Sequence, residues 1–448
     1  MKSAGMNMCE GPILKKMVIY AIPIMLTQVF QLLFNAADLV VVGRFCGSIS
    51  VGAIGATGSL TTLLVNLFIG LSVGASVVVA QNLGADNRQG VFRAVHTAIP
   101  LATICGVFLT IVGIVFSSSL LRIMGTPDKV LPLSSLYMKI YFCGMIPSLV
   151  YNFGAAILRA AGDSKGPLIY LTIAGVVNVL LNLFFVLVLD MNVAGVALAT
   201  AISQLLSMVL VLIALMRRTD ACRLDWKCLH LYKTSIFEIC RIGLPAGVQS
   251  SLFAASNVLI QSSINSFGDV VMAGNAAAGN IEGITYTAMN AIYQATLSFV
   301  GQNTGAKKYD RVNRSLGAGL FLVIVVGLVT GGLTRMLGRP LLSIYITDSP
   351  QAIEYGIIRM NYVALFYLFC GMMDVTTGAL RGLGRSFIPM VISLLGSCVF
   401  RIVWIFTVFA AHRTLETLYL CYPISWPITF MAQMTAYIIV MKKIQKQN

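Results

Sequence analysis

The chain has 448 residues, 58% of them hydrophobic and only 10% charged, with a mean hydropathy of +0.86. A water-soluble domain carries about 25% charged residues, so this composition excludes that class and makes lipid the main solvent. The net charge of +15 is no nucleic-acid signal, because the bases sit in short clusters between apolar runs without an aromatic-laced basic domain.

Apolar segments predict twelve spans, at 14–42, 51–80, 92–117, 133–158, 166–189, 194–216, 235–265, 271–300, 315–337, 354–379, 386–411 and 416–441. A helix crosses the hydrocarbon in about 20 residues, so several are long enough to tilt. The first run is too long for a cleavable signal and continues as a full span.

The first span carries a polar stripe. Gln28, Gln31, Asn35 and Asp38 stand at offsets that share one helical face. The stripe either lines a wet cavity or bonds one helix to another. An ionised carboxylate at mid-bilayer costs at least about 2.5–3.5 kcal/mol, which favours the cavity reading for Asp38. Asn178 and Asn182, one turn apart in the fifth span, complete a site with Asp38 or bond neighbouring helices. In the seventh span Asn257 and Gln261 are further candidate cavity positions. The eighth holds Glu282, with Asn275, Asn280 and Asn290 near it, and the tenth holds Asp374 about two turns from Arg381. Asp38, Glu282 and Asp374 are the candidate ion-coupling residues. Arg401, inside the eleventh span, reads as half of a structural ion pair or as a snorkelling cation. Pro23 and Pro245 interrupt the first and seventh spans, where a proline kink serves as a gate or as a static bend.

Charge placement sets the topology. With the N-terminus inside, 22 bases fall on the inner side, Lys2 among them. Eight fall outside, namely Arg44, Arg122, Lys129, Lys139, Arg335, Arg339, Arg359 and Arg413. That bias puts both termini in the cytoplasm of a plasma (inner) membrane protein.

The chain also repeats. QNLGA at 81–85 returns as QNTGA at 302–306, and LRAAGDSKGP at 158–167 returns as LRGLGRSFIP at 380–389. Pro23 and Asn35 return as Pro245 and Asn257. Six spans per half is an even number, so the halves are parallel repeats around a central cavity. The expected organisation is an N-terminal six-helix lobe at 1–216, a basic linker at 217–241 and a C-terminal lobe at 242–448. The QNxGA and LRxxG elements read as hinges or latches at the inner helix ends.

This build suits a secondary transporter. The ten cysteines are scattered without a CxxC and read as small hydrophobes. No cofactor or metal is expected. His96, His230 and His412 lie far apart, which argues against an intramembrane enzyme. A channel fits the duplication less well than alternating access does. A lipid-linked precursor flippase remains the alternative, although few arginines lie inside the spans to take a pyrophosphate.

The stretch FNAADLVVVGRF, the doubled QNxGA and LRxxG elements, NVAGVALATAISQ at 192–204 and AAAGNIEGITY at 276–286 together resemble the multidrug and toxic compound extrusion (MATE) family over nearly the whole chain. The resemblance implies twelve transmembrane helices in two lobes and an antiporter exporting organic, often cationic, compounds in exchange for H⁺ or Na⁺. Small organic substrates and the bilayer are the partners expected of such a protein, acting as a monomer. By position Asp38 resembles the N-lobe acid, and Asn178 the asparagine that accompanies it. Asn182 stands where many members carry aspartate, leaving that lobe one acid fewer. Glu282 resembles the C-lobe acid of Na⁺-coupled members. Asp374 matches their tenth-helix acid only in part. The balance favours H⁺ coupling through Asp38, with Na⁺ as the alternative.

Overall fold

A computed structural model describes residues 5–347 and 349–447; Lys2 lies outside them. Regular structure among the described residues is helical throughout. The N-terminal half contains α1 (Ile13–Phe45), α2 (Ser48–Gly84), α3 (Arg88–Ile123), α4 (Leu131–Cys143), α5 (Met145–Ala160), α6 (Lys165–Leu183) and α7 (Asn192–Met216). The C-terminal half contains α8 (Lys233–Asn265), α9 (Asp269–Gly305), α10 (Tyr309–Met336), α11 (Gly338–Tyr345), α12 (Pro350–Val363), α13 (Tyr367–Gly382), α14 (Phe387–Ser393), α15 (Phe400–Trp404), α16 (Leu415–Tyr419) and α17 (Cys421–Gln447).

These pieces follow the expected spans in order. Among the described residues eight helices are long and apolar enough to cross a bilayer, or ten when each bent pair counts as one. α8 and α9 are long enough but are not among them. The bent pairs are α4 with α5, at 46°, and α12 with α13, at 48°. They occupy matching places in the two halves.

The repeat extends into backbone detail. Wide i→i+5 turns occur at Phe184–Val188 and, at the matching place, at Ile405–Phe409, while a third at Leu394–Val399 has no counterpart among the described residues of the first half. Left-handed residues pair in the same way: Asp86 with Lys307, and Gly162 with Gly384. In both QNxGA elements the asparagine ties down the helix end. Asn82 donates to the Val78 carbonyl (2.9 Å), and Asn303 to the Phe299 carbonyl (2.7 Å). Each amide thus back-bonds to the carbonyl one turn earlier in its own helix, beside the intrahelical bond that carbonyl already accepts.

The chain forms two compact units. One comprises Met1–Asn7 and Leu26–Gly247, the other Met8–Met25 and Val248–Asn448. α1 and α8 thus each contribute to both, passing from one to the other two residues beyond Pro23 and Pro245. In the first unit the leading part of α8 packs backbone to backbone on α2. A Cβ on Gly74 would lie 2.2 Å from the Ile239 carbonyl oxygen, and one on Gly70 equally close to Gly247 Cα. In the second unit the leading part of α1 packs on α9. Tyr20 donates to the Ser298 hydroxyl (3.2 Å) and meets Phe299 edge-on.

The basic linker joins the first unit. His96, buried on α3, accepts from the Asp225 backbone N–H (3.0 Å), and Thr97 donates to the His230 carbonyl (3.2 Å). α8 begins at Lys233, inside the span of the expected linker. Asp220 pairs with Arg218. Burial raises the Asp220 carboxyl, but the hydrogen bonds and charge of Arg218 outweigh it and hold the pKa below the usual carboxylate range.

Gly74→Ala is expected to cost about 1–3 kcal/mol through overpacking and to lower the thermal midpoint of the purified protein in detergent. Gly55→Ala, whose Cβ would meet nothing within 4 Å, leaves the midpoint unchanged or higher. Equal midpoints for the two variants would refute the backbone contact between α2 and α8.

Candidate functional site

In the first unit, the packing of α1 on α6 places Asp38. The Phe34 ring fills the space above Gly175, where a Cβ would lie 1.9 Å from Phe34 Cε2. One turn further along α1, Asp38 meets the polar edge of α6. Asn182 donates through Nδ2 to an Asp38 carboxylate oxygen, and its Nδ2 also lies 3.4 Å from Asn178 Oδ1. Asn178 in turn donates to Thr200 Oγ1 on α7 at 3.5 Å. Both asparagines are buried. Among the described residues Asn182 Oδ1 has no hydrogen-bond partner. Just beyond Asp38 the surroundings are apolar: Val41, Val42, Val186 and Val196 form a core cluster with Tyr137 against it. Among the described residues no Lys or Arg pairs with Asp38.

The rest of the stripe is more open. Gln28 is half-buried, and Gln31 and Asn35 are exposed. The structure therefore gathers Asp38, Asn178 and Asn182 into one chain of hydrogen bonds ending at Thr200, and leaves Gln31 and Asn35 outside it.

In the second unit Glu282 is held by a cation. Arg359 on α12 donates from Nη2 to Glu282 Oε2 at 2.7 Å and from Nε to the same oxygen at 3.1 Å. Its Nη1 reaches Asn275 Oδ1 (2.6 Å), which also accepts from the Tyr419 hydroxyl (3.1 Å). Asn275 donates to Gln261 Oε1 (3.1 Å), and Gln261 to Asn265 (2.8 Å). Arg359, counted above with the outer-side bases and lying within the expected 354–379 span, is turned to Glu282 from the body of α12.

Asp374, half-buried on α13, has no hydrogen bond or ion pair among the described residues. Arg381 is not paired with it but engaged elsewhere. Its guanidinium donates to the Tyr293 hydroxyl (2.6 Å) and to Gln249 Oε1 (2.8 Å). Gln249 and Gln433 both donate to the Ser393 hydroxyl, extending a buried polar chain. Arg401 neither pairs with an acid nor snorkels. It is 2% exposed, donates to Asn257 Oδ1 (3.3 Å), and lies 4.6 Å from the Tyr422 ring centroid and 5.9 Å from that of Trp426. Two aromatic faces stabilise that desolvated cation by roughly 2 kcal/mol or more. α1 and α8 run unbroken through Pro23 and Pro245.

The family model MatE matches the chain twice, over residues 23–184 and 245–407. The chain belongs to the MATE family. The two matches start 222 residues apart, the same interval that separates Pro23 from Pro245. MATE proteins are membrane transporters and not enzymes, and this one is a multi-pass membrane protein of that class. It is 29% identical to the "Probable multidrug resistance protein YpnP" of Bacillus subtilis, over 88% of this chain and 87% of the relative. It is 25% identical to the "Probable multidrug resistance protein NorM" of Thermotoga maritima, over 85% and 82%. An outward-facing MATE-family transporter structure of the MOP superfamily superposes with a TM-score of 0.92 at 20% identity, covering 100% of both chains.

Sequence reasoning missed Thr200, Gly175, Arg359 as the partner of Glu282, and Gln249. Arg359 carried a readable signal, since it interrupts the apolar run YGIIRMNYVAL at 355–365. In this MATE protein, Arg359→Ala leaves a buried carboxylate unpaired and is expected to cost about 3–5 kcal/mol, read as a lowered unfolding midpoint in detergent. The double change Glu282→Gln with Arg359→Gln should recover most of that loss. A double variant no more stable than Arg359→Ala would show that the pair is not coupled.

Proposed function

We propose that this MATE protein is a secondary active antiporter. It exports small organic, mostly cationic compounds in exchange for H⁺, and Asp38 is the coupling carboxylate. The observation that carries this reading is the partnering of the acids. Asp38 meets only an amide donor, whereas Glu282 is neutralised by a bidentate arginine. A carboxylate without a fixed cation is the one able to exchange a proton for a cationic substrate.

The surroundings supply a means of reading the proton. Ionised Asp38 accepts from Asn182. Protonated Asp38 carries an O–H that needs an acceptor, and the orphaned Asn182 Oδ1 is one turn of an amide away. Protonation thus favours a flipped amide and a different packing of α1 on α6. Proton and substrate binding then oppose each other, and by linkage each weakens the other. Gln28, Gln31, Asn35, Asn257 and Gln261 are proposed to supply polar contacts to the substrate. Pro23 and Pro245, beside the points where α1 and α8 change unit, are proposed as the gate. The proposal extends to a plasma-membrane location with both termini cytoplasmic, and to lobes at 1–216 and 242–448 joined by the linker 217–241.

Asp374 favours a second reading, Na⁺ coupling in the second unit, because it too has no cation partner among the described residues. The flippase alternative finds less support. Arg359, Arg381 and Arg401 are each engaged within the second unit by Glu282, by Tyr293 and Gln249, and by Asn257 with two aromatic rings. The names of the similar proteins also support drug export.

Purified protein in liposomes, given a fluorescent organic cation, tests the reading. A pH gradient should drive transport, and Asp38→Asn should reduce it by about ten-fold or more. Transport driven by Na⁺, insensitive to Asp38→Asn and lost in Asp374→Asn, would move coupling to the second unit. No cation transport under either gradient would sink the antiporter reading and leave the flippase.

A further inference from the structure

The groove between the end of α3 and the start of α4 presents two cations over a hydroxyl floor. It is a cleft of about 350 Å³ lined by Ser118, Arg122, Leu131, Ser135 and Lys139, among others. Ser118 and Arg122 stand one turn apart on α3, and Ser135 and Lys139 one turn apart on α4. The Ser118 and Ser135 hydroxyls share a hydrogen bond (2.7 Å) that joins the two helices, with the Ser117 hydroxyl 3.4 Å from Ser135. The helix pair is packed tightly beneath. The Phe142 ring lies on Gly113, and Thr110 donates to the Phe142 carbonyl (2.8 Å). Arg122 and Lys139 are exposed and make no ion pair with any described residue, and no carboxylate lines the cleft.

An apolar strip leads to this groove. Ile104, Val107, Phe108, Ile111, Ile114 and Val115 recur on α3 at helical spacing, each 40–62% exposed. The same face turns polar at Ser118 and Arg122. From Ile104 to Val115 the strip is about 16 Å long at 1.5 Å per residue, which is about one leaflet of a ~30 Å hydrocarbon core. Apolar length followed by paired cations and hydroxyls is the outline of a phospholipid, with chains on the strip and phosphate in the cleft. Under the proposed topology the groove faces the outer leaflet, where the positive-inside bias otherwise disfavours bases.

We propose that this groove is a binding site for the phosphate of an anionic glycerophospholipid. Arg122 and Lys139 provide charge-assisted bonds, and the Ser118–Ser135 pair, one of whose protons is taken up in their mutual bond, offers the remaining hydroxyl proton. None of the cleft's lining residues is among those proposed for transport.

Native mass spectrometry of the full-length, delipidated protein titrated with dioleoyl phosphatidylglycerol tests it. Occupancy of the first bound lipid at a fixed lipid concentration should fall about ten-fold in Arg122→Gln with Lys139→Gln. Arg335→Gln with Arg413→Gln removes two other exposed cations assigned to the same side and should leave occupancy unchanged. Ser118→Ala with Ser135→Ala, which alters no charge, should give a smaller loss and guards against a folding defect in the charge variant. Dioleoyl phosphatidylcholine should bind more weakly than phosphatidylglycerol, and millimolar inorganic phosphate should not displace the lipid. Displacement by inorganic phosphate would make this a free-phosphate site and overturn the lipid assignment. Equal occupancy in wild type and the Arg122/Lys139 variant, or equal losses in both cation pairs, would overturn the site itself.

Discussion

Glu282 and Arg359 lie inside the second unit, and neither charge could stay there without the other. An isolated ion buried in an apolar surround carries a desolvation cost of several kcal/mol, and only a close partner with satisfied remaining donors and acceptors offsets it. The arginine provides two contacts to one carboxylate oxygen, and its third nitrogen is taken by Asn275. Tyr419 and Gln261 complete the shell around that asparagine. The same demand organises the other buried cations, with Arg381 held by a phenol and an amide and Arg401 by an amide and two aromatic faces. Once these groups are accounted for, Asp38 and Asp374 stand apart as membrane-segment carboxylates with no basic partner among the described residues.

The scaffold is duplicated but its chemistry is not. Bends, wide turns and left-handed residues recur at matching places in the two halves. These are backbone requirements, and a duplicated backbone carries them over together. The side chains have diverged. Asn35 has its counterpart in Asn257, but 222 residues beyond Asp38 stands Ile260, buried in an apolar cluster. Arg401 donates to Asn257 in the second unit, whereas the helix that bears Asn35 carries a carboxylate one turn on. Within the membrane segments, the first unit therefore holds Asp38 with an amide partner, and the second holds the buried cations Arg381 and Arg401 together with Glu282 and Asp374.

Much of the architecture could be read directly. Lipid forces spanning helices to be apolar, so their number, order and approximate ends stand out as runs, and the 221- or 222-residue interval marks the duplication. The candidate site was legible in part. Asp38, Asn178 and Asn182 were named from helical spacing, and they do meet. Thr200 was not, because a threonine in an apolar helix is common and only its approach to Asn178 distinguishes it. Arg359 was counted only as an outer-side base, because nothing in its local sequence points to Glu282, 77 positions away. The passage of α1 and α8 from one unit to the other had no sequence signal beyond the prolines.

By itself the sequence determined that this is a membrane protein of helices, built twice, with three carboxylates inside its spans and a basic joint. These follow from hydropathy, periodicity and repetition, which are properties of the chain read along its length. Only the tertiary structure decided which carboxylate is neutralised, which arginines find aromatic or amide partners, and where the half-helices pack. Those outcomes depend on contacts a few ångströms long between residues far apart in sequence, such as the 77 positions from Glu282 to Arg359. No local pattern encodes which of several polar groups in an apolar core will meet.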